Sequence, residues 1–360
     1  MPLSKIQTAE MLDAPNLGRR NHVINGAMEI AQRALSASAG NGTYVCLDRF
    51  RNWASTDAAT TVSRQAFTIG QTDVPRFTKY MRCVVSSNSG NGDYSTFATH
   101  IEGVEKCDAQ TMTLSFYAKA SSALGLSFEP IQNFGSGGST RVLLTPHKFT
   151  LSTSWTRYTY TFTWPSISGK TIGGTNHANF ELNFWMSAGS DINSRTDSLG
   201  NQSGTFEITG IQIEDGTVAT PFEHIPLGET FQLCKRYYEK SFPMDTAPFN
   251  NRAGEPGAQG GALWFKKAAF HPPTDSGTYM GAPAVFEAEK RDTATVVPYN
   301  SNTVGSVTNK INDLVNGTVT TSYQITANEG DSMGCRFYFY ANGTSQNPHG
   351  CHWTADAEIS

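Results

Sequence analysis

Tryptophan is the side chain in this sequence whose chemistry is easiest to place. Trp53, Trp155, Trp164 and Trp185 all lie in the N-terminal part of the chain. A flat indole face outside a core can stack on the apolar face of a sugar ring. Trp185 has the opposite strand parity from Phe180, Leu182 and Phe184, and Trp155 is out of phase with Tyr158, Tyr160 and Phe162. These two, with Trp53, are the candidate carbohydrate contacts. A place in the core or at a subunit interface is the ordinary alternative for each.

Catalytic patterns do not emerge. Ser168-Gly-Lys-Thr171 imitates the end of a phosphate-binding loop, but Trp164 stands where its first glycine belongs and no helical pattern follows. Neither GxSxG nor HExxH occurs. A glycan-cleaving enzyme needs two carboxylates facing each other across a cleft, and the acids here are sparse and scattered. His349-Gly-Cys-His352 sets two imidazoles close in sequence, yet alternation along a strand turns them to opposite faces. No catalytic residue, metal or cofactor is expected.

Charge narrows the partners. Lys and Arg number 27 against 31 Asp and Glu, a net charge of −4. No basic field exists to displace counterions from phosphates, so nucleic acid is not an expected partner. No apolar run approaches the ~20 residues of a membrane-spanning helix, so neither is a membrane. The first residues contain Glu10 and Asp13 and no apolar core, so no secretory signal is expected. The six cysteines form no CxxC pair and read as buried thiols.

These side chains must be positioned by strands. Charged residues make up 16% of the chain, below the usual ~25%, and Thr, Ser, Gly and Phe are abundant. Met112, Leu114, Phe116 and Ala118 alternate with polar residues, as do Tyr158–Trp164 and Phe180–Met186. In Phe206–Ile213 the parity changes at Gly210, and a β-bulge there would return Ile211 and Ile213 to the face of Phe206 and Ile208. Leu227, Phe231, Cys234 and Tyr238 form one helical stripe behind Pro226. Further alternation over 319–325, 335–340 and 351–359 predicts a second set of strands.

The expected class is all-β. An N-terminal arm (1–21) precedes a jelly-roll β-sandwich (22–225), a linking helix (226–241) and a smaller C-terminal β-sandwich (242–360). The arm has too few apolar residues for a core but offers Ile6, Met11 and Leu12, with Arg19 and Arg20 behind them, as anchors on a partner. Tyr338 and Tyr340, with Arg336, make a strand face too aromatic for solvent and suited to an interface between copies, with a trimer expected.

Several stretches resemble a known protein type. Asn21–Arg33 followed by Leu47-Asp-Arg-Phe50 resembles the opening of many bacteriophage virion proteins. Ile211–Glu223 running into Leu233-Cys-Lys-Arg-Tyr-Tyr238 resembles the end of the same domain. His352–Ile359 and Lys5–Asp13 resemble their two termini. The type is common in cyanophages and other phages of marine and freshwater bacteria. The resemblance implies a virion structural or tail-fibre-like protein whose first domain is similar to jelly-roll carbohydrate-binding modules. Its implied location is the virion, assembled in the host bacterial cytoplasm. Its implied partners are other copies, other virion proteins and a host-surface polysaccharide. A capsid decoration or head-fibre protein is the alternative, and a glycan depolymerase a further one. In related modules a structural calcium sits where Glu29, Glu214 and Asp215 fall here; solvated acids are the ordinary reading of the three.

Overall fold

The computed structural model describes residues 19–55, 59–86, 88–174, 178–249, 263–265, 278–300, 310–313, 319–328, 330–341 and 349–359. The architecture is all-β. The chain forms two compact units. The first takes the residues up to Glu29, Ser38–Thr43 and Phe50–Ile225; the second takes Ile30–Ala37, Tyr44–Arg49 and Pro226–Ser360.

The first thirteen strands are β1 (Ser36–Ser38), which straddles the division at Ser38, and, within the first unit, β2 (Asn41–Thr43), β3 (Arg51–Ala54), β4 (Ala59–Ala66), β5 (Lys79–Ser86), β6 (Tyr94–Glu102), β7 (Thr111–Ala120), β8 (Gly125–Asn133), β9 (Val142–Leu143), β10 (His147–Thr150), β11 (Thr156–Thr163), β12 (Asn179–Ala188) and β13 (Gly204–Asp215). They build two antiparallel sheets, β1-β4-β5-β13-β7-β11 and β10-β8-β12-β6-β3-β2, with β9 beside β8. The sheets pack face to face. Phe116 of the first meets Phe184 and Phe149 of the second at 5.8 and 5.1 Å, and Phe162 meets Phe128 at 5.6 Å. The alternating sets Met112/Leu114/Phe116/Ala118 and Phe180/Leu182/Phe184/Met186 are fully buried in this core.

Gly210 is the bulge. Its φ is +65°, and the β13–β7 register slips between Thr209 and Gln212. Phe206, Ile208, Ile211 and Ile213 are all fully buried as a result.

Residues 19–21 do not belong to the arm expected over 1–21. The backbone N–H groups of Arg20 and Asn21 both donate to Glu223, and the Asn21 amide bonds to Ile211 and Ile213 of β13. Buried backbone groups need partners, and Asn21 supplies them, so residues 19–21 belong to the first unit.

In the second unit the strands are β14 (Tyr238–Lys240), β15 (Leu263–Phe265), β16 (Thr278–Val285), β17 (Thr295–Asn300), β18 (Lys310–Asp313), β19 (Val319–Asn328), β20 (Gly334–Ala341) and β21 (His349–Asp356). Their order is β14-β21-β18-β19-β20-β16, with β15 and β17 also on β21. The helix is shorter than its apolar stripe predicts. It spans Leu227–Lys235, and Tyr238 has left it to pair with Asp356. Of the stripe, Cys234 is buried, Phe231 half-buried and Leu227 exposed, and Thr230 is buried beside them, so the packed face is rotated from the stripe at the helix start. Tyr237 N–H still bonds to Cys234 C=O, and beyond that turn the backbone finds its partners in β21.

The two segments 30–37 and 44–49 break the continuous 22–225 domain expected from sequence. They are held by buried charge. Arg49 and Glu358 pair, with side chains 0% and 4% exposed. Arg33 pairs with Asp356 at 2.8 Å, and its guanidinium lies 3.7 Å from the Tyr238 ring. Gln32 donates to Asp48 and to Tyr238 C=O. Cys46, Cys83, Cys107, Cys234, Cys335 and Cys351 are all buried free thiols.

Candidate functional site

The outward-facing residues of the second sheet share a regular grid. Pairing of β8, β12, β6 and β3 sets Ser127, Trp185, Thr96 and Trp53 in one row. The next row holds Glu129, Asn183, Ala98 and Arg51, and the one after it Ile131, Glu181 and His100. Trp185 and Trp53 are therefore two strands apart, about 10 Å at ~4.8 Å per strand.

This face is polar and yet recessed. Thr96, Asn183 and His100 are no more than 5% exposed, although the core lies on the other side of the sheet. The Asn183 amide donates to Glu181 at 2.6 Å. Burial pushes the Glu181 carboxyl up, against the pull of that hydrogen bond and of Arg141 and Arg195. Trp53, Arg51 and Glu181 remain half-buried. The Arg51 guanidinium lies 4.6 Å from the Trp53 ring and bonds to Gly42 C=O. Gly42 permits that approach: a Cβ there would stand 2.4 Å from Trp53 Nε1.

Trp185 is not an open platform. It is 4% exposed. Its indole N–H donates to Glu129 at 3.1 Å, and Arg195 lies 5.0 Å from the ring while making a two-pronged bond to Glu129 at 2.8 Å. Arg195 comes from the helical turn Asn193–Thr196 in the β12–β13 connection. The parity that turns Trp185 away from the core is real, but a connecting segment roofs it. Ser127 Oγ beside it is buried without a partner.

Trp155 lies on the outer side of the first sheet. It is half-buried and packs with Phe67 at 5.2 Å and Tyr80 at 5.5 Å. Trp164, by contrast, is 1% exposed against Phe180 and belongs to the core.

The other candidates separate. Arg20 bonds to Thr220 and Pro221, and Arg19 to Val23 C=O, so both arginines engage their own unit. Ile6, Met11 and Leu12 lie outside the described residues, as do the side chains of Tyr338 and Tyr340 on β20. The calcium reading does not fit. Glu214 is buried and bonded to Gln212 and Thr220, Asp215 contacts His22 at 3.1 Å, and Glu29 is half-buried near Lys79. Among the described residues no three His, Cys, Asp or Glu side chains form a metal-binding group. His352 is fully buried, stacked on Phe242 and bonded to Ser241.

No family model matches this chain, and no curated protein does. Solved structures do resemble it. A family 4 carbohydrate-binding module matches at 15% identity and TM-score 0.32, over 54% of this chain and 100% of the module. A family 11 carbohydrate-binding module of Clostridium thermocellum, solved with a mixed-linked tetrasaccharide, matches at 14% and 0.30, over 52% and 99%. The enzymatically active domain of tailspike protein 4 of bacteriophage CBA120 matches at 14% and 0.31, over 54% of this chain and 21% of that one. At such distances the reading of function rests on the residues themselves.

Proposed function

We propose that this protein is a glycan-binding structural component of a bacteriophage virion, a trimeric tail fibre or appendage without enzymatic activity. It attaches to the virion through its N-terminal arm and contributes to recognition of the host surface. The virion assignment draws on the stretches at both ends of the two domains that resemble phage virion proteins. Glycan binding draws on one structural observation: a recessed outer sheet face that carries half-buried Trp53, with Arg51, Asn183, His100 and Glu181 in register beside it. A sugar needs an apolar platform and fixed donors and acceptors around it, and this face supplies both on rigid strands.

Binding of a panel of neutral β-linked glucan and galactan oligosaccharides to the full chain tests the site. Trp53→Ala should weaken binding at least about tenfold, the loss of one stacked aromatic contact, while Glu181→Gln tests the polar floor. Unchanged affinity in both variants, with unchanged melting, would remove this face from the function. Light scattering tests the trimer, and labelling intact virions for electron microscopy tests the location.

A further inference from the structure

The outer face of the first sheet carries an aromatic and cationic platform that core packing does not explain. The rings of Phe67, Tyr80 and Trp155 meet pairwise at 4.7, 5.2 and 5.5 Å. All three are half-buried, whereas Met81 and Cys83, which alternate with Tyr80 along β5, are fully buried on the inner face. The sandwich is therefore packed from the opposite side, and these rings gather where solvent reaches them.

A row of charge crosses the same face. Register sets Arg82 of β5, Glu207 of β13 and Lys119 of β7 side by side. Arg82 and Lys119 both contact Glu207, at 2.6 and 3.0 Å. Two cations share one carboxylate, so the row is positive within a chain of net charge −4. Exposure is unequal: Glu207 is 8% exposed, Arg82 37% and Lys119 34%. What the surface presents is the cations. Lys119 Nζ lies 5.5 Å from the Trp155 ring and the Arg82 guanidinium 5.7 Å from that of Tyr80.

A hollow of about 720 Å³ adjoins the platform at Phe67, lined by Ala66–Gln71 and Arg76–Lys79 of the β4–β5 connection. Arg76 adds a further cation to its wall. The loop is braced from within. The Gln71 amide donates to Val74 C=O at 2.8 Å and Phe77 C=O at 3.3 Å, and it accepts from Val74 N–H at 3.1 Å. The hollow is thus formed before a ligand arrives.

We propose that this platform is a second saccharide site, selective for acidic polysaccharides whose pyranose rings bear carboxylate or sulfate. The aromatic rings take the apolar face of a sugar, and Lys119, Arg82 and Arg76 take its charge. The site is independent of the second-sheet face proposed above.

The test is calorimetric titration of the full chain with oligogalacturonate, its methyl ester, dextran sulfate and polyglutamate. One or both anionic saccharides should bind, more weakly as salt rises. If oligogalacturonate binds, its methyl ester should bind roughly tenfold or more weakly, because charge-assisted hydrogen bonds are lost. Trp155→Ala should abolish binding. Lys119→Gln, which keeps the fold if Trp155→Ala does not, should weaken it about tenfold. Trp53→Ala should leave it unchanged, so the two faces fail or succeed separately. Failure of both anionic saccharides to bind, equal affinity for oligogalacturonate and its ester where the former binds, polyglutamate binding as tightly, or wild-type affinity in folded Lys119→Gln would each overturn the proposal.

Discussion

Replacing Gly210 with alanine isolates what the bulge in β13 contributes. The backbone there has φ +65°, where an L side chain costs about 1–2 kcal/mol. A Cβ would also stand 2.5 Å from Phe77 Cζ. Phe77 cannot easily move: it is 4% exposed and packed by Phe222, His224 and Tyr117 at 4.9, 5.1 and 5.6 Å. Overpacking such a cluster costs a further ~1–3 kcal/mol, so the total is roughly 2–5 kcal/mol. At ~2–4 °C per kcal/mol for a unit of this size, melting should fall by about 4–20 °C. Gly70→Ala is the control. Its φ is +82° but a Cβ there meets nothing within 4 Å, so it bears the backbone cost alone. Scanning calorimetry of both variants separates the two causes. Equal melting for the two would refute the Phe77 clash, and an unshifted Gly210→Ala would refute the strained bulge.

Three further outcomes are expected. Glu358→Gln leaves Arg49 buried without its counter-charge and should cost about 3–5 kcal/mol in urea unfolding, with a loss under ~1 kcal/mol contradicting the buried pair. Burial holds His147, stacked on Tyr160 at 4.2 Å, below the ordinary 6.5 of histidine, so the unfolded chain binds the extra proton first and stability falls as pH drops below 6.5 toward the lowered value. His147→Phe should keep the stack and remove that contribution from melting curves taken between pH 7 and pH 5, where His224, also held low, acts in the same direction and the raised carboxyls of Glu181 and Glu358 act in the opposite one. Deleting residues 1–18 should leave melting unchanged and remove the protein from assembled virions; incorporation at wild-type copy number would end the attachment role of the arm.

The sandwich was legible wherever one side of a strand faces the core and the other faces solvent. The apolar phase of the period of two in β7, β11 and β12 marks the inward face, though β7 and β12 are largely buried on their outer face as well, and even the Gly210 bulge shows as a change of parity between Ile208 and Ile211. Legibility failed where partners are remote in sequence. Gln32, Arg33 and Arg49 show no periodicity, and nothing near them indicates that Tyr238 will supply the first with a hydrogen-bond acceptor or that Asp356 and Glu358 will pair with the two arginines. The helix failed for a related reason. A stripe reaching Tyr238 is sound local evidence, but pairing with β21 offers residues 238–240 backbone partners that a longer helix would forgo.

The candidate sites show how far parity alone carries. It identifies which side of a sheet a side chain leaves by and says nothing of what lies above it. Trp185 and Trp53 share a row on the same outer face, yet Arg195 covers the first and the second stays half-buried. The covering residue belongs to a connection whose polar sequence carries no packing signal. The platform around Trp155 was hidden differently. Trp155 precedes β11 and Phe67 follows β4, at opposite ends of the run β4-β5-β13-β7-β11, so no spacing in the sequence links their rings. A signal did exist in the short range: Tyr80 and Arg82 alternate with buried Met81 and Cys83, as Lys119 does with Ala118 and Ala120. Half-exposed aromatic rings gathered on one outer face form the kind of apolar patch that marks interaction sites, and that is the physical reason to look there for a ligand.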